Sequence, residues 1–196
     1  MPGKPPETSN PLPWNILSST IDQSYRIFNI RTDRAISPRT GQSHEFFVLE
    51  SRPWVNIIPL TADSQVVMVR QYRHGTRKTT LEIPGGLVED EDTPRQAAIR
   101  ELSEETGYSA GDVRFLGTVH PNPAIQNNEC HTYLASQAVW TGRQSLDEKE
   151  DIQVVHHRLE DIPGLITNGQ ITHSLVLCAF FHYFLQSSPL AAADRR

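Results

Sequence analysis

The chain has 196 residues, 37% hydrophobic and 21% charged, with a net charge of −5. This length suits one domain with a sizeable core and a small appendage. The acidic balance excludes a general polyanion-binding surface, so no nucleic-acid partner is expected. The two cysteines, Cys130 and Cys178, follow no zinc or disulfide spacing, which predicts two reduced thiols in a cytoplasmic protein. No leader peptide is recognised, and no apolar run approaches the ~20 residues that span a bilayer, so no membrane partner is expected.

Residues 1–13 hold Pro2, Pro5, Pro6, Pro11 and Pro13 and read as a disordered lead-in. Residues 24–32 and 44–49 are rich in aromatic and β-branched side chains. They flank the turn signal Ser37-Pro38-Arg39-Thr40-Gly41, which predicts an antiparallel hairpin. A few strands alone are marginal in water and need a second surface. Residues 54–60 and 64–71 read as core strands, and residues 80–86 as a strand running into a glycine turn. Further strands are expected at 113–120 and 130–140, with a Pro- and Asn-rich loop between them that holds Asn127 and Asn128. Those two either read a ligand edge or turn the chain. His120 and His131 flank this loop and are assigned to packing. Residues 145–154 form an acidic stretch leading into a strand, 159–165 a helical turn, and 172–186 an apolar helix. In that helix Leu175, Cys178, Ala179 and His182 share one face. Residues 191–196 are expected to fray.

The most informative stretch is 86–108, GLVEDEDTPRQAAIRELSEETGY. Thr93 suits an N-cap, Pro94 the first helical position, and Gln96 completes a capping box. Gly107 suits a left-handed helix end. At about 100° per residue, Glu101, Glu104 and Glu105 fall on one face, beside an apolar stripe of Ala98, Ile99 and Leu102. Acids in the last turns oppose the helix dipole, and Glu101 repels both Glu104 and Glu105 at helical spacing. Carboxylates clustered against local physics suit a hard divalent cation such as Mg²⁺, which prefers oxygen ligands and accompanies substrate phosphates. The alternative is a solvated acidic face.

Gly86, five residues, Asp92, seven residues, then Arg100-Glu101-Leu102-Ser103-Glu104-Glu105-Thr106-Gly107-Tyr108 resembles the Nudix box of the Nudix hydrolases across 23 positions. Asp92 stands where that family usually has Glu, and Tyr108 where an aliphatic residue is usual. The resemblance extends over residues 54–186. It implies an α/β fold, the Nudix α/β/α sandwich with a mixed sheet, preceded by an N-terminal antiparallel β subdomain. The division expected is 1–13 lead-in, 14–52 N-terminal β subdomain serving dimerisation, and 53–196 Nudix hydrolase domain.

Further stretches are similar to the ADP-ribose pyrophosphatase branch of that family. There the N-terminal strands help build a homodimer. Residues 70–73 resemble an arginine-bearing stretch of nucleotide-sugar pyrophosphatases, making Arg73 the candidate for holding diphosphate through its paired donors. Glu82 either contacts ligand or metal, or pairs with an arginine. Pro123 lies at the distance past the box of a substrate-marking proline. By alignment of the acidic stretch, Glu148 matches the general base and Glu150 an additional metal ligand, with Asp151 the adjacent alternative. The resemblance gives Glu101, Glu104, Glu105 and the Gly85 carbonyl as metal ligands. It gives Gly86 and Arg100 structural roles in the box, Arg100 orienting the glutamates. The implied activity is Mg²⁺-dependent hydrolysis of nucleoside diphosphate sugars such as ADP-ribose, with Mn²⁺ as a substitute ion. Products would be a nucleoside monophosphate and a sugar phosphate. Other Nudix substrates (dinucleotide, coenzyme A, nucleoside triphosphate or RNA cap) form one alternative. A catalytically silent module that binds an ADP-ribose-like ligand and regulates a partner forms another.

Overall fold

The computed structural model describes residues 10–187. Residues 1–9 of the expected lead-in and the expected frayed end at 191–196 lie outside that range, and residues 10–13 carry no regular structure. The chain divides into two units. One runs to Ser51 and includes Ala124–Asn127; the other holds Arg52–Pro123 and resumes at Asn128.

The first unit is an antiparallel sheet of β1 (Asn15–Ser24), β2 (Phe28–Ile36) and β3 (Ser43–Ser51), in that order. The expected hairpin is the β2–β3 pair, in register from Phe28 opposite Ser51 to Ile36 opposite Ser43. Its turn is held by the Ser37 hydroxyl, which accepts the N–H groups of Arg39 and Thr40, and by Gly41 at φ 72°. Arg31 braces the sheet by pairing with Asp33 at 2.9 Å and with Glu50 on the neighbouring strand. Two corrections apply. Ser24 closes β1 and residues 25–27 form a turn, with the Tyr25 N–H donating to the Phe28 carbonyl, so the strand expected from residue 24 begins at Phe28. Strand β1 was not anticipated, because bulges at Ile16/Ser18 and Ile21/Gln23 break the two-residue alternation that reveals a strand. Gln126 bridges to Leu49 on β3, and the Leu49 N–H donates to the Ile125 carbonyl at 2.7 Å.

The second unit contains β4 (Trp54–Leu60), β5 (Gln65–Arg73), β6 (Lys78–Glu82), β7 (Gly85–Leu87), α1 (Pro94–Thr106), β8 (Tyr108–Ser109) and β9 (Asp112–Val119). These are followed by β10 (Cys130–Ser136), β11 (Val139–Trp140), β12 (Ile152–Arg158), α2 (Ile162–Thr167) and α3 (Ser174–Ser187). A 3₁₀ turn at Leu159–Asp161 precedes α2. The main sheet runs β12-β5-β4-β10-β9, with β6 added to β5 and β7 to β4. β4 and β10 are parallel and the other ladders antiparallel, so the sheet is mixed.

Strand alternation divides the core into two layers. From β4, Val55 and Ile57 pack with Tyr133 and Ala135 of β10 against Ala97, Ala98 and Leu102 of α1. Ile58, Met68 and Leu134 point the other way, onto Val176, Ala179 and Phe180 of α3. Strands buried on both faces read as continuous apolar runs, as in β4 and β5. A mixed sheet with α1 on one face and α3 on the other is the expected sandwich.

Three local expectations change. The strand expected at 80–86 breaks at Ile83-Pro84, where the Pro84 carbonyl accepts the Ile57 N–H at 2.9 Å. The strand expected at 130–140 ends at Ser136, because Gln137 adopts φ 55° and Ala138 turns its N–H to the Leu60 carbonyl. On α3 the fully buried positions are Leu175, Val176, Ala179 and Phe180, while Cys178 is half-buried. Leu102 has no exposed surface and sits between α1 and the sheet. Leu102→Ala is therefore expected to lower unfolding free energy by about 2–5 kcal/mol in chemical denaturation. An unchanged midpoint would refute this packing.

Candidate active site

Helix α1 forms for reasons local to its sequence. The Gln96 N–H donates to the Thr93 hydroxyl at 3.3 Å, and the Gln96 side chain accepts the Thr93 N–H at 2.9 Å. Pro94 lies in the first turn, and Gly107 ends the helix at φ 71° with its N–H on the Ser103 carbonyl. A β-carbon at Gly107 would also meet the Gly142 carbonyl oxygen at 2.6 Å, so both conformation and space require glycine there.

The acidic face is largely hidden. Glu101 and Glu105 are 8% and 3% exposed, whereas the Glu104 side chain retains 40%. The solvated acidic face is thereby excluded for two of the three acids. They lie beneath β7, and the glycines there permit the approach. The Gly85 N–H donates to Glu105 Oε2 at 3.1 Å. A β-carbon on Gly86 would stand 2.5 Å from the Glu101 carboxyl carbon.

Arg100 gathers the neighbouring acids. Its Nη1 donates to Glu101 at 3.0 Å and Glu104 at 2.9 Å, its Nε to Asp92 at 3.1 Å, and its Nη2 to the Leu87 carbonyl at 3.1 Å. Asp92 thus supports the arginine that holds the glutamates.

Burial pushes the Glu101 carboxyl up to about 7; Arg100 opposes this, and the charges of Glu104 and Glu150 add to it. Burial pushes Glu105 further, to about 8, with the Glu101 charge next in importance and the Gly85 N–H and Arg73 opposing. Burial works against the charge on Arg100, but Asp92, Glu101 and Glu104 hold its guanidinium well above its ordinary value.

Two adjacent buried carboxylates lack sufficient positive charge, and their donors are all oxygen. That chemistry fits a hard divalent cation, whose charge would return both acids to the ionised form. Among the described residues, no three His, Cys, Asp or Glu groups converge as a ready-made metal cluster. Arg100 stands against Glu101 and Glu104 instead.

Arg73 and Glu82 form a two-pronged pair, with Nε–Oε1 and Nη2–Oε2 both 2.8 Å. Of the alternatives for Glu82, the arginine pair is the one present. Burial raises the Glu82 carboxyl, but Arg73 and Thr80 outweigh it and leave the group below its ordinary value. Arg73, Glu82, Gly85, Gly86, Asn56 and His173 line a cavity of about 300 Å³. The charge of Arg73 also reaches Glu105. Pro123 lies in an exposed turn after β9 and does not line this cavity. Asn127 accepts the Ser51 N–H at 3.1 Å, and Asn128 donates to the Arg52 carbonyl at 3.3 Å, so both brace the chain. His131 bonds Thr118 at 2.8 Å.

In the acidic loop before β12, Glu148 is exposed and Glu150 half-buried. Glu150 accepts the Asp147 N–H at 3.0 Å, and its charge acts on both Glu101 and Glu105. Sequence reasoning missed Gln144, whose side-chain nitrogen donates to the Glu105 carbonyl at 2.6 Å and the Ile152 carbonyl at 3.2 Å. A lone glutamine before a polar loop carries no recognisable pattern. It also missed the Tyr108 hydroxyl paired with His156 at 2.7 Å.

Comparison with known proteins agrees with this architecture. The NUDIX domain description matches residues 50–180. An ADP-ribose pyrophosphatase of Bacillus subtilis (strain 168) is 31% identical over 118 residues, covering 60% of this chain and 64% of the relative. The chain thus spans just under two thirds of that relative. A methanol dehydrogenase activator of Bacillus methanolicus is 29% identical over 166 residues, covering 84% of this chain and 89% of the relative. A crystal structure of an ADP compounds hydrolase superposes with a TM-score of 0.78 at 22% identity, covering 90% of this chain and 95% of that one, a likeness of fold. With a family match over most of its length, and with the box helix, capped ends and buried glutamates in place, this chain belongs to the NUDIX family.

Proposed function

We propose that this protein hydrolyses the pyrophosphate bond of nucleoside diphosphate sugars such as ADP-ribose, giving a nucleoside monophosphate and a sugar phosphate. The observation that carries this reading is the pair of buried acids, Glu101 and Glu105, beside the Gly85–Gly86 strand at the cavity holding Arg73. Relatives named for ADP-ribose and ADP compounds support the substrate class. Nudix hydrolases generally use a divalent metal, and Mg²⁺, with Mn²⁺ as substitute, suits these oxygen donors. Glu101, Glu104, Glu105, Glu150 and the Gly85 carbonyl are the proposed ligands. When bound, such an ion neutralises diphosphate charge and stabilises the leaving phosphate.

The protein's own groups do the rest. Arg73 offers paired donors to the diphosphate, and its contact with Glu82 fixes the plane of the guanidinium. Arg100 orients Glu101 and Glu104. Glu148 accepts a proton from the attacking water as its oxygen bonds to phosphorus. The bridging P–O bond breaks, and the second phosphate departs. Pro123 is proposed to meet substrate from its turn after β9. We place this reaction in the cytoplasm, a reading supported by two free thiols, with Cys130 pushed up to about 12 by burial. No described helix is long and apolar enough to cross a membrane.

The likeness to a methanol dehydrogenase activator supports a second reading, in which the chain regulates a partner. Phosphate release, with added phosphatase, across ADP-ribose, GDP- and UDP-sugars, NADH, diadenosine polyphosphates and deoxynucleoside triphosphates separates the two. Mg²⁺-dependent turnover of the sugar nucleotides is expected. ADP-ribose binding without any turnover would favour the regulator. Glu105→Gln is expected to abolish turnover with the fold intact, and retained activity at saturating Mg²⁺ would overturn the metal assignment.

The raised carboxyls also set a pH dependence. Unfolded glutamates lose their protons near 4.5, while folded Glu101 and Glu105 hold theirs to about 7 and 8. The metal-free protein is therefore expected to lose stability as pH rises from about 4.5 to 8. Its melting temperature in EDTA should fall over that range and fall less in Glu105→Gln, and Mg²⁺ should raise it more at pH 8 than at pH 5. A flat profile in EDTA would contradict this.

The N-terminal sheet is the proposed homodimer contact. Every residue of β1 is exposed, including Ile16, Leu17 and Ile21, and Phe47 of β3 is 65% exposed. Apolar surface of this extent marks an interaction site. Analytical ultracentrifugation should find a dimer that Leu17→Glu converts to monomer; a monomeric wild type would remove the proposal.

A further inference from the structure

The acidic loop is fastened to the box helix at both ends. Residues 145–151 hold Asp147, Glu148, Glu150 and Asp151 against a single cation, Lys149. The charge of Glu150 acts on the buried Glu101 and Glu105, and this like-charge repulsion opposes holding the loop against the helix. The restraints lie in the backbone of the last helical turn. The Ser145 N–H donates to the Glu104 carbonyl at 2.9 Å, and the Thr141 N–H to the Gly107 carbonyl at 2.9 Å. Both donors of the Gln144 amide are engaged as well. One bond, of 2.6 Å, reaches the carbonyl of Glu105, and the other, of 3.2 Å, reaches that of Ile152, the first residue after the loop. Gln144 therefore ties the beginning and the end of the loop to the residue whose side chain lies deepest in the acidic site. Inside the loop, the Glu150 N–H returns to the Asp147 carbonyl and the Asp147 N–H to the Glu150 carboxylate. The segment is thus a short closed unit with a fixed base.

These contacts also complete the helix. The last carbonyls of an α-helix have no partner within it, and here those of Glu104 and Glu105 are met by Ser145 and Gln144. Any movement of the loop base away from the box would take these partners from the carbonyls at the helix end.

We propose that Gln144 is a positioning residue for the hydrolytic reaction: by bridging the Glu105 and Ile152 carbonyls, it holds the carboxylates of the acidic loop against the box glutamates. This rests on the hydrolase reading above. Gln144 touches neither substrate nor reacting atoms, and acts through the loop.

Gln144→Met, which keeps length and removes both donors, tests this with two readouts. In the metal-free protein, hydrogen exchange at the amides of Asp147 and Glu150 is expected to accelerate at least tenfold, with the exchange of β4 unchanged. In turnover, kcat is expected to fall roughly 10- to 100-fold, as for a misplacement of about 1 Å. KM for ADP-ribose should stay within about threefold, and half-maximal Mg²⁺ should rise. Glu150→Gln combined with Gln144→Met should lose less than the product of the two single losses, because both act through one loop. Unchanged kcat and Mg²⁺ dependence would overturn the proposal, whatever the exchange. So would a loss of kcat with unchanged exchange, or fully multiplicative losses. If Gln144→Met does not fold, Gln144→Ser, which leaves room for water at both carbonyls, is read in the same way. Absence of turnover by the wild type would instead overturn the hydrolase reading, while the exchange result would still report on the bridge.

Discussion

Glu105 is a carboxylate buried at the C-terminal end of a helix, where burial, the helix dipole and the neighbouring Glu101 all disfavour its charge. Much of the surrounding structure serves to tolerate it. The paired glycines of β7 let a backbone N–H reach its oxygen, and their lack of side chains leaves room for the Glu101 carboxyl beside it. Arg100 takes up the charge of Glu101 and Glu104, and Asp92 steadies Arg100 in turn. Beside the acids on the same buried side of the helix, Ala97, Ala98 and Leu102 lock it to β4 and β10, so the acids cannot rotate to solvent without breaking the core layer. Stability given up at the acids is recovered in the adjoining apolar contacts, as expected where function requires groups that packing alone would exclude.

The parts of this arrangement visible in the sequence are those determined by short-range physics. Thr93, Pro94, Gln96 and Gly107 mark the ends of α1 because capping involves residues a few positions apart. The core strands β4 and β5 were legible as unbroken apolar runs. The acidic face was legible as a spacing, but its burial was not, since burial depends on β7 arriving from elsewhere in the chain. The Arg73–Glu82 pair could be raised only as an alternative, because it joins β5 to β6 and depends on their register. Strand β1 escaped because its bulges shift the alternation, and Gln144 because one amide bridging two carbonyls has no sequence signature.

Pro123, Asn127 and Asn128 illustrate a different limit. Prolines and asparagines in a loop indicate that the chain turns, without saying what the turn holds together. Here Asn128 is almost fully buried and fastens the Arg52 carbonyl, so its side chain serves the backbone. Pro123 is exposed, as are its neighbours Asn122, Ala124 and Ile125.

The four-residue segment Ala124–Asn127 gives the first unit a delayed completion. Ser51, at the end of β3, receives its contact from the Asn127 side chain, 76 positions later. On a ribosome adding about 5–20 residues per second, roughly 4–15 s separate the two. During that interval the N-terminal sheet exists without its last piece, and its apolar strands have already been synthesised. The second unit is likewise interrupted, since β10 cannot join β4 until the same loop has been made. The N-terminal sheet has all three strands by Ser51, yet the backbone groups of Leu49 and Ser51 that residues 125–127 will meet stay open to other chains until those residues emerge.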